Sequence, residues 1–210
     1  MPQPQRQPIL NIPPATKALL VANIVVHGLR QLLPDTLDDW IVMNFGFVPG
    51  RYTTPGAFSW TALLSPLTHQ FLHANLAHLG MNMLALLAFG AGVERRLGSL
   101  KMLVFTLVCG LFGAAVHFAV YPHSFDPVIG ASGAISGLFG AVMRFQLRGG
   151  RNGSIWPMVG LFLVLNFVTG VAGVGAPEGE TVAWVAHTGG FLAGLFLFGL
   201  FDRHAPQLRA

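Results

Sequence analysis

The sequence predicts an all-α polytopic membrane protein, a bundle of six transmembrane helices joined mostly by short loops. Three observations carry that fold class. Hydrophobic residues are 53% of the 210 and charged residues only 10%, and the mean hydropathy is +0.60. Six stretches approach the roughly twenty apolar residues needed to cross the hydrocarbon core of a bilayer. Between those stretches, Lys and Arg concentrate in every second connection, as they do when basic loops stay on one side of a membrane.

Composition also limits the partners. The pI near 10.0 would suit a nucleic-acid binder. Here, however, the cations sit in short clusters between apolar runs and form no basic face. Membrane lipids are therefore the expected surroundings, with no nucleic acid. The single cysteine, Cys109, lies inside an apolar run and has no partner for an intramolecular disulfide. The 26 glycines fit a bundle whose helices pack closely in lipid.

Taken in order, residues 1–15 are Pro- and Gln-rich and form an N-terminal tail without the apolar core of a signal peptide. The membrane domain is expected over 16–202, its first span serving as the insertion signal, and 203–210 form a C-terminal tail. The first span, about 16–33, carries His27 and Arg30 in its second half. The connection at about 34–68 holds Pro34, Pro49, Pro55 and Pro66 among Trp40, Phe45, Phe47, Tyr52, Phe58 and Trp60. Such aromatics settle at membrane–water interfaces, so this long first outer loop is expected to lie partly in the headgroup region. The second span, about 69–92, contains His73, His78 and Asn82, and is acceptable in a membrane only if they face the bundle. The remaining spans are expected at about 100–121, 129–147, 155–174 and 183–202.

With the N-terminus in the cytoplasm, the inner segments hold Arg6, Lys17, Arg95, Arg96, Lys101, Arg144, Arg148, Arg151, Arg203 and Arg209. That is ten of the twelve cations. Asp35, Asp38, Asp39, Asp126, Glu178 and Glu180 fall outside. The expected topology has both termini cytoplasmic, in a plasma (inner) membrane. Glu94 is expected to order an inner loop with neighbouring arginines.

Orientation gives depth. Ser132 opens the fourth span, His187 lies a few residues into the sixth, and His78 and Asn82 lie in the outer half or middle of the second. All three spans descend from the outer side, so at about 1.5 Å per residue these four side chains reach similar depths. Their types suit acyl transfer. A serine hydroxyl becomes nucleophilic beside an imidazole that can accept its proton. Unpaired backbone N–H groups at Ala131 and Ser132, at the start of a helix, can face an oxyanion. His78 and Asn82, four apart on one helical face, can add side-chain donors. Gly133, Gly137 and Gly140 form a small-residue stripe, Gly130 just before it is counted with the packing glycines, and Gly190 and Gly194 form a G-x-x-x-G, which together allow the fourth and sixth spans to approach. His69 and His73 have a spacing that can ligate zinc, but no carboxylate ligand lies nearby, so neither metal nor cofactor is expected.

At these residues the chain resembles the rhomboid family of intramembrane serine proteases. Gly130-Ala131-Ser132-Gly133 matches the family's G-x-S-G. Ala186-His187 with Gly190 and Gly194 matches A-H-x-x-G-x-x-x-G, and His78 with Asn82 matches H-x-x-x-N. Gly90, Glu94 and Gly98 fit a further family pattern. The resemblance covers about residues 60–202. It implies a six-helix rhomboid-like core, a Ser132–His187 dyad without an acidic third member, and serine-type endopeptidase activity on transmembrane protein substrates near the outer face. Small residues at the cut and helix-weakening residues beside it are also implied. The loop at about 173–182 is then a lid, and the fifth span, with Trp156, Phe162 and Phe167, a lateral gate.

Two departures stand out. Many members have an aromatic residue four positions after the nucleophile that stacks on the base, and here that position is Ser136. What orients His187 is therefore left open. The Trp-Arg pair of the first outer loop is matched at best by Arg51-Tyr52. Two other functions compete with proteolysis: a catalytically inactive rhomboid-like module that binds membrane proteins, and a small transporter or channel. The first would lack the serine or the histidine, and the second would show internal pseudo-symmetry or broken helices.

Overall fold

A computed structural model describes residues 11–148, 154–172 and 183–202 of the chain, and within them the architecture is all-helical. The helices are α1 (Pro14–Arg30), α2 (Asp35–Phe45), α3 (Gly50–Thr53), α4 (Trp60–Thr68), α5 (Leu76–Leu97), α6 (Ser99–Val120), α7 (Ser132–Arg148), α8 (Trp156–Val171) and α9 (Trp184–Asp202). Of these, α5, α6 and α9 are long and apolar enough to cross a membrane, and α8 is a shorter apolar helix. The first and fourth predicted spans are met by α1 and α7, each 17 residues long. The predicted lid at 173–182 lies outside the described residues.

α1 begins two residues before the predicted boundary, on Pro14, whose fixed φ suits the first helical turn. No side chain of its own caps that end. Glu94 does so from α5, accepting the backbone N–H of Ala15 at 2.8 Å and of Thr16 at 2.7 Å, and the Thr16 hydroxyl at 2.7 Å. Ser99 supplies a fourth bond at 2.7 Å. Glu94 is thus not the partner of the nearby arginines. A carboxylate buried to 3% exposure needs its lone pairs filled, and unpaired N–H groups at a helix N-terminus fill them with favourable charge. Arg96 instead pairs with Asp202 at 2.8 Å, joining the ends of α5 and α9.

The far end of α1 is fastened as firmly. Arg30, buried, forms a two-pronged bridge to Asp38 of α2 at 2.6 and 2.9 Å and donates to the His73 carbonyl at 2.9 Å. Arg30, a charged residue in the second half of the first predicted span, therefore ties three segments together.

The connection between α1 and α5 departs most from expectation, since much of it is helical. Arg51 organises it, donating to the Met43 carbonyl at 3.0 Å and the Ser59 hydroxyl at 2.6 Å. Trp40, Phe45 and Trp60 meet edge to face, and Trp40, Phe58 and Trp60 keep much of their surface exposed. An antiparallel bridge between Phe47 and Val128 pins this connection beside the start of α7.

The second predicted span is also displaced. A 3₁₀ turn covers His69–Phe71, and α5 starts only at Leu76 because Asn75, in extended conformation, accepts the N–H of His78 at 2.8 Å. The helix continues to Leu97, and Gly98, at φ +82°, turns the chain directly into α6.

α9 is the centre of the bundle, held between α6 and α7 by missing side chains. A Cβ on Gly190 would overlap the Gly133 carbonyl, and one on Gly194 the Gly137 carbonyl. On the other side, a Cβ on Gly113 of α6 would come within 2.7 Å of the Ala186 carbonyl. Around this contact lies a core of Met102, Phe105, Cys109, Leu138 and Phe198, all fully buried.

Candidate active site

The close packing of α7 and α9 fixes where their polar residues meet. Ser132 is the first residue of α7 and His187 lies one turn into α9. The Ser132 Oγ and His187 Nε2 atoms are 2.6 Å apart, although 55 residues separate them in the chain. That distance is a short hydrogen bond. Both residues keep some exposed surface.

His78 arrives from α5. Its ring lies against Gly130, where a Cβ would come within 2.8 Å of His78 Nε2 and 3.5 Å of Ser132 Oγ. Gly130 has φ +122°, a conformation that other residues rarely adopt. This glycine therefore does not belong to the helix-packing set expected from the sequence. It precedes α7, and it is small so that the His78 ring can approach the serine. Its N–H donates to the His69 carbonyl at 2.9 Å, anchoring the turn. His78 Nδ1 lies 3.5 Å from the Ala74 N–H, and Nε2 is on the side of the serine.

Asn82 lies one turn further along α5, 6% exposed, and its Nδ2 donor has no partner among the described residues. A buried amide donor without an acceptor costs about 1–3 kcal/mol, so its retention calls for an explanation. Ala131 is buried immediately before Ser132. Gly133, Gly137, Gly190 and Gly194 all lie in the α7–α9 contact.

The other histidines of the second span do not join the pair. His69 Nδ1 bonds the Ser65 carbonyl at 3.0 Å. His73 is fully buried behind His78, their ring centres 5.1 Å apart.

One residue of the site was missed in the sequence. Asn166 of α8 places Oδ1 3.0 Å from His187 Nδ1, on the side of the ring opposite Ser132. Its Nδ2 donates to the Trp184 carbonyl at 2.8 Å and to the Thr188 hydroxyl at 2.9 Å. The signal was present: Asn166 is an amide in the apolar run Val164-Leu165-Asn166-Phe167, and polar groups within hydrocarbon are expensive. The rule that picks out Ser132 and His187 also picks out Asn166.

Chemically, the arrangement offers an alcohol bonded to an imidazole, with a second histidine ring against the glycine two residues before the alcohol. That is the equipment of nucleophilic acyl transfer.

Comparison with known proteins places most of the chain in one family. Residues 60–203 match the family model of the rhomboid domain. The chain is 28% identical over 186 residues to the rhomboid protease GluP of Bacillus subtilis, covering 88% of this chain and 34% of that protein. It is 29% identical to the rhomboid protease GlpG of Serratia proteamaculans, covering 91% and 64% of the two chains. It is also 32% identical to RHOMBOID-like protein 6, mitochondrial, of Arabidopsis thaliana, covering 72% and 50%. The chain thus spans between about a third and two thirds of the length of these relatives. With the family model matching more than half of its residues, the chain belongs to the rhomboid family.

Proposed function

We propose that this protein is an intramembrane serine endopeptidase that cleaves transmembrane segments of other membrane proteins through Ser132 and His187. The 2.6 Å contact between Ser132 Oγ and His187 Nε2 is the observation that carries the reading. Kinship to proteins named rhomboid proteases supports it.

In this scheme the Ser132 oxygen attacks the scissile carbonyl while its proton passes to His187 Nε2. The carbonyl oxygen gains negative charge and turns toward His78 Nε2, Asn82 Nδ2 and the backbone N–H groups of Ala131 and Ser132. Charge-seeking donors already aimed at that point need no reorganisation during reaction. Collapse of the intermediate expels the amine, which takes the proton back from the imidazolium. Water then repeats the sequence on the acyl-enzyme. A peptide bond inside a helix is shielded by its own hydrogen-bonding turn, so substrates with helix-weakening residues near the cut are favoured.

We place the site in the outer half of a six-span bundle, α1 and α5–α9, with both termini cytoplasmic in a plasma membrane. The distribution of Lys and Arg supports that orientation. The connection containing α2–α4 then lies on the outer side, its exposed Trp40, Phe58 and Trp60 in the interface.

The test is cleavage of a single-pass substrate by purified protein in lipid. Ser132→Ala and His187→Ala are each expected to lower the rate on the order of 10³-fold or more, with helical content and melting behaviour unchanged. Cleavage surviving in either variant contradicts the dyad. A wild-type protein that binds such segments without cutting them supports the inactive-module alternative.

A further inference from the structure

A histidine base needs more than proximity, because imidazole has two tautomers and only one leaves Nε2 free to accept the serine proton. Stacking from the position four residues after Ser132 is not available, since Ser136 has no ring. We propose that Asn166 is the positioning residue of the reaction. It selects the Nδ1–H tautomer of His187 and holds the ring against Ser132. This inference rests on the serine–histidine reading above.

The argument is one of hydrogen-bond bookkeeping. A main-chain carbonyl can only accept, so the atom of Asn166 that lies 2.8 Å from the Trp184 oxygen must be the amide nitrogen. Thr188 Oγ donates to the same carbonyl at 3.0 Å, which leaves its lone pair for the second amide hydrogen at 2.9 Å. The Asn166 orientation is therefore settled without reference to the histidine, and Oδ1 is left facing Nδ1 at 3.0 Å. An amide oxygen only accepts, so Nδ1 must carry the proton. Nε2 then presents its lone pair toward Ser132 at 2.6 Å. Buried Asn166, 7% exposed, has all three of these contacts satisfied at once.

The placement of Asn166 has a mechanical consequence. α8 packs on α9 through Phe162 and Phe191, stacked at 4.3 Å, and through Phe167 and Trp184. Leu161, Val164, Leu165, Val168 and Val171 of α8 are exposed on its other faces. The base is thus anchored to a helix that packs on α9 and, through Phe162 against Phe139, on α7, so a shift of α8 away from α9 would release the imidazole.

The variants are Asn166→Leu, branched at the same atom but without polar atoms, and Asn166→Asp, which keeps an acceptor opposite Nδ1. The other titratable groups facing His187 are His78 of α5 and His117 of α6, both left unchanged. Asn166→Leu is expected to lower kcat on the order of 10²-fold, with KM within about 2-fold of wild type. Asn166→Asp is expected to recover part of that loss. It should also move the acid limb of the kcat–pH profile to higher pH, because a carboxylate beside the ring favours the imidazolium.

A second readout does not depend on activity. Imidazole ¹⁵N spectra of the otherwise unaltered chain should show His187 protonated at Nδ1, and Asn166→Leu should mix the tautomers. Wild-type kcat and pH profile in Asn166→Leu overturn the proposal. So does a wild-type spectrum with the proton on Nε2, whatever the folding of the variants. An inactive Ser132→Ala beside a fully active Asn166→Leu sinks this inference alone. An active Ser132→Ala sinks the function on which it rests.

Discussion

The alcohol of a serine ordinarily releases its proton only at strongly basic pH, so the chemistry at Ser132 is decided by the groups within a few ångströms of it. His78 and Asn82 of α5 are candidate donors to the oxyanion, and their contributions are separable. They have nothing to hold in the ground state, where the carbonyl oxygen carries little charge, and act mainly once the tetrahedral intermediate forms. His78→Ala or Asn82→Ala is therefore expected to lower kcat by up to about 10²–10³-fold with a smaller change in KM. Steady-state kinetics on a fluorogenic transmembrane peptide measures this split, and a loss confined to KM removes the residue from the oxyanion hole. Asn82 is the sharper case, because its Nδ2 is buried without a partner among the described residues. At this scale the sequence was readable for a physical reason: four polar side chains at matching depth in apolar spans have few explanations. Asn166 obeys the same rule, but it stands among apolar and aromatic residues of α8 and outside the motifs that mark the other four.

At the scale of helices, the site exists because α7 and α9 lack side chains where they cross. Gly190 and Gly194 each lie against a backbone carbonyl of α7, closer than any Cβ permits. The methyl added by Gly190→Ala must push the helices apart, and forced overpacking of this kind costs roughly 1–3 kcal/mol. It also lengthens the Ser132–His187 contact from 2.6 Å, toward distances where a hydrogen bond weakens steeply. Gly160→Ala on α8 meets nothing within 4 Å and serves as the control. We expect at least about 10-fold lower kcat and a lower melting temperature for Gly190→Ala, with Gly160→Ala close to wild type in both. Equal behaviour of the two variants contradicts the packing account.

Element boundaries were less legible than element existence. The start of α5 moved from 69 to Leu76 because an asparagine cap and a 3₁₀ turn are local contests that hydropathy does not register. The helices α2 and α4 were hidden by the prolines and glycines around them. Sequence proximity pairs Glu94 with the neighbouring arginines, whereas three of its four hydrogen bonds come from Ala15 and Thr16, nearly eighty residues away. Hydropathy and charge count what each residue is, and contacts of that range depend on how the bundle closes.

For the whole molecule, the consequence of that closure is that an interior walled by apolar side chains contains a small polar centre contributed by four elements. Ser132 comes from α7, His187 from α9, His78 and Asn82 from α5, and Asn166 from α8. The ends of the bundle are tied by charged groups, Glu94 at α1, Arg96 with Asp202 at α9, and Arg30 with Asp38 at α2. The tie at Asp202 fastens one end of α9 to α5, and the alignment of serine and base depends on the glycine-lined crossing of α7 and α9. The most direct measurement treats the protein in native membranes with a fluorophosphonate and maps the adduct by mass spectrometry. An activated Ser132 predicts one phosphonylated residue, Ser132 itself, unaffected by chelators and lost in His187→Ala. Labelling that is absent from Ser132, or that persists unchanged without the histidine, contradicts the account.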